Sequence, residues 1–283
     1  MGNTGDKSKS YEAELIKLAE ANKRIVVMTA ENRALIRGAE VKLKDRFIDT
    51  GINEQSLLGI AAGLASEGYI PLVHALAPFL TMRAFEFIRT NFGNKNLQAK
   101  LMGFIPGVLS DGNGFTHQAV EDIALMKTIP GMEIYTPSCE EDLTMCLPMI
   151  VNSEKPSYVR LNHLPGKTKH TSVTENPNIE EITLGDDFAI LTYGFMTQVA
   201  FETVQDLSSI YNTKCGLISV RKLHPLDLNT LFEQTKKYEN VIVIEDHLKF
   251  GGLRTAIVEG LFDFPQKTKF HFKNLESSYF KPG

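Results

Sequence analysis

Short apolar runs rich in Val, Ile and Leu alternate along this chain with stretches in which apolar residues recur three and four positions apart. The runs RIVVMTA, IPLVHAL, AKLMGFI, MEIYTPS and SYVRL read as strands buried on both faces. Helical spacing covers residues 11–22, 53–67, 79–92, 118–128 and 139–152. Alternation of this kind predicts a parallel sheet with helices on both sides. The polar stretch NHLPGKTKHTSVTENPNIEE then breaks the pattern and reads as a linker. A second series follows: DFAILTYG, a helix through Asp206, CGLISVRKL, a short helix after Pro225, NVIVIED, and a helix after Gly251–Gly252. The expected fold class is α/β: two three-layer αβα domains at 8–165 and 184–283, the second smaller, joined by a linker at 166–183.

Composition removes several function classes. The 283 residues carry a formal charge of -4, so no basic surface points to nucleic acid or anionic lipid. The three cysteines form no C-x-x-C pair, which suits reduced thiols in a cytoplasmic protein. The N-terminal stretch lacks the apolar segment of a secretory signal, and no apolar run approaches the ~18 residues of a membrane span. Walker, G-x-G-x-x-G and H-E-x-x-H motifs are missing, as is any Cys/His cluster, so no metal ligand is expected from this chain.

Four places can carry chemistry, and each has a plainer explanation. Glu54 opens the apolar helix of DTGINEQSLLGIAAGLASEG, where a helix dipole alone also favours a carboxylate. Phe79 begins the aromatic-rich APFLTMRAFEFIR, which would equally serve as core. His117 follows the glycine-bearing loop SDGNGFTH, where backbone could approach a ligand. Arg160 ends the strand SYVRL, at the edge where open α/β sheets present ligand groups, or it forms an ion pair.

In this order, the segments resemble the C-terminal half of transketolase, and in particular the C-terminal subunit of split-gene transketolases. GINEQ, GFTHQAVEDIALM and the later EDH and GG carry the likeness, which runs from about residue 11 to about residue 265. The resemblance implies a pyrimidine-binding domain followed by a transketolase C-terminal domain, with thiamine diphosphate as cofactor. Glu54 would share a proton with the aminopyrimidine ring and so activate the cofactor, a task suited to a buried carboxyl. Phe79 would stack on that ring, and Ile52 and Met82 would complete the cofactor contacts. His117 would contact the donor ketose, and Arg160 the far, anionic end of the substrate. Asn113 stands where single-chain relatives carry an Asp that recognises a substrate hydroxyl.

The family's diphosphate motif, GDG followed by Asn, is absent, which implies a second polypeptide. That N-terminal transketolase subunit would hold the diphosphate and most of the Mg²⁺ coordination. The small-residue helix LLGIAAGLA suits self-association, and the implied assembly is α2β2. The implied reaction moves a two-carbon ketol unit from a ketose to an aldose, free or phosphorylated. The β subunit of a 2-oxo-acid or acetoin dehydrogenase and a deoxyxylulose-phosphate-synthase-like enzyme share these domains. A non-catalytic dimerisation scaffold is the alternative of another class.

Overall fold

The first-half runs form strands of one sheet in the computed structural model, which describes residues 10–171, 173, 177–186, 188–276 and 278–279. Its elements are α1 (Tyr11–Ala21), β1 (Ile25–Thr29), α2 (Arg37–Leu43), β2 (Phe47–Asp49), α3 (Glu54–Ser66), β3 (Ile70–Leu76), α4 (Phe85–Ile88), β4 (Lys100–Phe104), α5 (Asp122–Lys127), β5 (Glu133–Tyr135), α6 (Glu140–Asn152) and β6 (Ser157–Leu161). The second half supplies β7 (Ile179–Thr183), β8 (Phe188–Tyr193), α7 (Met196–Tyr211), β9 (Cys215–Val220), β10 (Lys222–His224), α8 (Leu228–Thr235), β11 (Asn240–Leu248), α9 (Leu253–Asp263) and β12 (Lys269–Leu275).

The first sheet has the order β10-β5-β6-β4-β3-β1-β2 and the second β12-β11-β8-β9-β7. Pairing is parallel except at the edges formed by β10 against β5 and β7 against β9. Strands β1, β4 and β6 are buried at every position, which explains their largely apolar character, with Lys100 and Arg160 as buried exceptions. Helices α1, α2 and α6 pack one face of the first sheet through Leu15, Ala39 and Leu147. On the other face, Leu57, Ile88 and Ile123 join a core that continues into the second sheet through Leu191 and Val243. Each of the buried Leu, Ile and Val side chains among them contributes roughly 1.5–3 kcal/mol.

Three expectations need correction. The stretch expected as linker at 166–183 ends in a strand, since β7 hydrogen-bonds to β9 of the second sheet. The expected domain limits at residues 8 and 283 lie outside the described residues, as do parts of the linker. The helix expected over 79–92 is interrupted by two π-helical turns, Phe79–Arg83 and Arg89–Gly93, on either side of α4. The Thr81 hydroxyl donates to the Ala77 carbonyl (2.7 Å) in the first of them. Last, the helix expected from 118 starts only at Asp122, because Ala119 first pairs with Gly107 as an isolated bridge. Among the described residues, no helix is long and apolar enough to cross a membrane.

Candidate active site

The C-terminal end of β2 leads directly into the residues at issue. Asp49 accepts hydrogen bonds from the Gly51 and Glu31 amides (2.8 and 3.0 Å) and from Arg33 Nε (2.6 Å). Burial alone would raise its pKa, but these donors hold the carboxyl below the usual carboxylate range. Gly51, at φ +69°, then turns the chain, and Asn53 caps α3 by accepting from the Ser56 amide (3.0 Å). Glu54 is therefore the first helical residue, and it is 3% exposed.

The first π turn supplies what faces Glu54. Arg83 Nη1 donates to Glu54 Oε2 at 3.0 Å, and the same guanidinium lies 3.9 Å from the Phe79 ring centroid. Phe79 in turn meets His117 edge-on, with centroids 5.0 Å apart. His117 closes a 3-10 turn, Phe115–His117, entered through Gly114 at φ +72°. Its Nδ1 pairs with the Thr116 hydroxyl (2.9 Å), so Nε2 is the nitrogen left for a ligand. Beside this group lies a cavity of about 340 Å³ lined by Phe79, Met82, Arg83, Phe115, Thr116, Glu121 and Tyr279, among others. Ile52 is exposed at the entrance to α3, and Asn113 is exposed on the loop, donating to the Ser110 hydroxyl (3.1 Å).

Arg160 is not brought to this group. It is 2% exposed and spans the two halves of the chain: Nε donates to Asp122 (2.9 Å), Nη1 to Asp246 (2.7 Å) and Nη2 to the Ala119 carbonyl (3.1 Å). The Tyr158 hydroxyl completes the set on Asp122 (2.6 Å). Gly107 packs so closely here that a Cβ would collide with Asp246. Three of the five N–H groups of Arg160 are thus committed inside the fold, the ion-pair alternative for this position rather than the contact with substrate that the resemblance implies.

Asp142, His170 and Glu180 come near enough to share a metal ion. Arg221 already bridges the two carboxylates, donating to Asp142 Oδ1 (2.7 Å) and Glu180 Oε2 (2.8 Å). Burial alone would depress His170, but its bonds to Cys139 and Glu180 and the Asp142 charge push it up to about 10. Two cations therefore already balance two carboxylates. A metal ion would have to displace charges that are satisfied, and the cluster is structural.

Sequence reasoning missed Arg83, Phe115, Glu121 and Tyr279. Arg83 stands in the same short segment as Phe79, but only the π turn reveals that the two meet.

The family description "Transketolase, pyrimidine binding domain" matches residues 6–165, and "Transketolase, C-terminal domain" matches residues 178–276. The chain is 29% identical to a 6-deoxy-6-sulfo-D-fructose transketolase subunit of Clostridium sp. (strain MSTE9), covering 89% of this chain and 79% of that one. It is 28% identical to an apulose-4-phosphate transketolase subunit of Phocaeicola vulgatus, over 91% and 84% of the two chains. Against the 1-deoxy-D-xylulose-5-phosphate synthase of Clostridium acetobutylicum, identity is 30% over 92% of this chain but only 42% of the synthase. Among solved structures, a split-gene transketolase described as an inactive beta4 tetramer superposes with a TM-score of 0.81 at 28% identity, covering 94% of this chain and 88% of that one.

Proposed function

The chain belongs to the transketolase family as a subunit carrying the pyrimidine-binding and C-terminal domains, and from that premise we propose that Glu54, Phe79 and His117 form its half of a thiamine-diphosphate site. The observation that carries this reading is the position of Arg83. Its guanidinium is flat and cationic, donates an N–H to the buried Glu54 carboxylate, and lies on the Phe79 face. A protonated aminopyrimidine ring makes the same demands: a carboxylate at its edge and an aromatic ring at its face. Arg83 thus stands in for that ring, and the residues present fit the cofactor.

When bound, thiamine diphosphate supplies the carbanion chemistry of ketol transfer. Glu54 holds the proton shared with the pyrimidine edge nitrogen, in a setting from which water is nearly excluded. Phe79 fixes the ring plane, while Ile52 and Met82 shield its sides. His117 presents Nε2 to the donor ketose beside the reacting carbons, with the ring oriented by Thr116. Asn113 meets a substrate hydroxyl further out. The diphosphate and its Mg²⁺ fall to an N-terminal partner subunit, because this chain offers no motif for them. Exposed Ile60, with the open faces of Gly59 and Gly63 on α3, provides the surface for an α2β2 assembly.

The test is reconstitution. The purified chain is expected to show no ketol transfer by itself, and to gain it with Mg²⁺, thiamine diphosphate and a subunit containing the diphosphate motif. Full activity of this chain alone would overturn the division of labour proposed here.

A further inference from the structure

The chain's last described residue returns to the cavity. After β12, Tyr279 stacks on Phe115 with centroids 5.3 Å apart and planes 30° from parallel. Its hydroxyl donates to Glu121 Oε1 at 3.3 Å, and both Tyr279 and Phe115 line the 340 Å³ cavity that also touches Phe79 and Arg83. A residue from the second half of the chain therefore forms a wall of a site whose other described lining residues come from the first.

The chemistry of that wall is specific. Phe115 and Tyr279 are 52% and 61% exposed, so ring surface remains to meet C–H bonds. Thr116 and Glu121 add a hydroxyl and a carboxylate on the same lining. The Glu121 charge pushes the Tyr279 phenol up, so the hydroxyl stays a donor. Glu121 Oε2 is held by the Val120 amide (3.0 Å), and Arg83, among the described lining residues, is paired with Glu54 rather than with Glu121. Such a surface accepts a polyhydroxylated carbon chain, whose C–H bonds lie on the rings and whose hydroxyls meet Glu121 and Thr116. Among the described lining residues, the Glu121 carboxylate disfavours a phosphate or sulfonate at that end while Arg83 is held by Glu54. The cavity is of the size typical for small-molecule sites, which run from about 300 Å³ upward.

We propose that Tyr279, with Phe115 and Glu121, is a specificity-determining residue that grips the uncharged, hydroxylated part of the ketose donor. The substrate class rests on the ketol-transfer reading above; the placement of Tyr279 does not.

Two measurements test this. In the enzyme reconstituted with its partner, Tyr279→Ala should raise KM for neutral ketoses about five- to tenfold, leaving kcat and the Kd for thiamine diphosphate within about twofold. Tyr279→Phe should fall between, having lost only the hydroxyl. The chain contains no tryptophan, so Tyr279→Trp provides a single fluorescent reporter on the wall itself. Titrating the full-length variant, alone and in complex, with D-fructose should give a saturable fluorescence change that fructose 6-phosphate gives more weakly. Unchanged KM in an active Tyr279→Ala enzyme, together with a silent Tyr279→Trp reporter, would overturn the assignment and leave ketol transfer standing. A responding reporter in a complex that transfers no ketol unit would uphold the wall and sink the reaction class.

Discussion

Two regions of this molecule place arginine against carboxylates, and they differ in how far solvent reaches the arginine. At the seam between the sheets, Arg160 and Arg221 are 2% and 1% exposed, and each holds two carboxylates and a backbone carbonyl. Around the cavity, the Arg83 side chain is 42% exposed and holds a single carboxylate that is itself 3% exposed. The seam joins the halves of the chain through buried ion pairs, with Asp122 Oδ1 and Asp246 Oδ2 left without a hydrogen-bond partner among the described residues. In the cavity, a buried carboxylate and an aromatic face are met by a cation that solvent can draw away. Burial of a charge is thus a poor guide to function. The informative combination is a buried carboxylate whose partner can leave.

The sharpest way to test the contrast is at Glu54. Glu54→Gln in the reconstituted enzyme keeps a side chain that can accept from Arg83 and should preserve the fold. It cannot hold the proton that the pyrimidine edge requires, so turnover should fall by more than the ~10⁴ at the upper end for one acid–base group. Thermal melts and turnover on the same preparation check both halves. A drop in melting temperature that accounts for the lost activity would make Glu54 a structural residue like those of the seam.

Arg160 should give the converse result. Arg160→Met leaves Asp122 and Asp246 buried without their cation, and breaking such a pair costs about 3–5 kcal/mol. Denaturant unfolding should register this directly, whichever substrate is supplied. If the variant instead unfolds like the parent and only KM for anionic donors rises, Arg160 reaches substrate after all and the seam is misassigned.

The residues explain why one of these arginines could be misjudged from sequence. The buried strands were legible because a parallel sheet covered on both faces needs continuous apolar runs, and SYVRL coincides with β6. Edge strands were not: β2 is three residues long and β12 alternates exposed with half-buried positions. The run CGLISVRKL looks continuous, yet Arg221 interrupts it and β10 crosses to the first sheet. Glu54 was legible because a carboxylate at the head of an apolar helix is a local anomaly. The partners of Arg160 lie 38 and 86 residues away in sequence, and nothing local announces them. Arg83 was hidden differently, since helical periodicity carries no sign of a π turn.

The smallest expected effect separates an occupant of the pocket from a part of it. Arg83→Ala removes the guanidinium from the Phe79 face and leaves the Glu54 carboxylate buried without its cation. That should destabilise the free chain by about 1–3 kcal/mol, the range for a buried polar group left unsatisfied. Thiamine, which carries the aminopyrimidine without the diphosphate, would then enter without displacing anything. Its affinity for the full-length variant should rise about tenfold over the parent, equivalent to ~1.4 kcal/mol. Millimolar thiamine should also raise the melting temperature of Arg83→Ala more than that of the parent chain, because binding restores a partner to Glu54. Calorimetry and melting curves on the two chains decide it. Weaker thiamine binding by Arg83→Ala would mean that the guanidinium helps to hold the ring, and that the cavity, like the seam, is built around a fixed arginine.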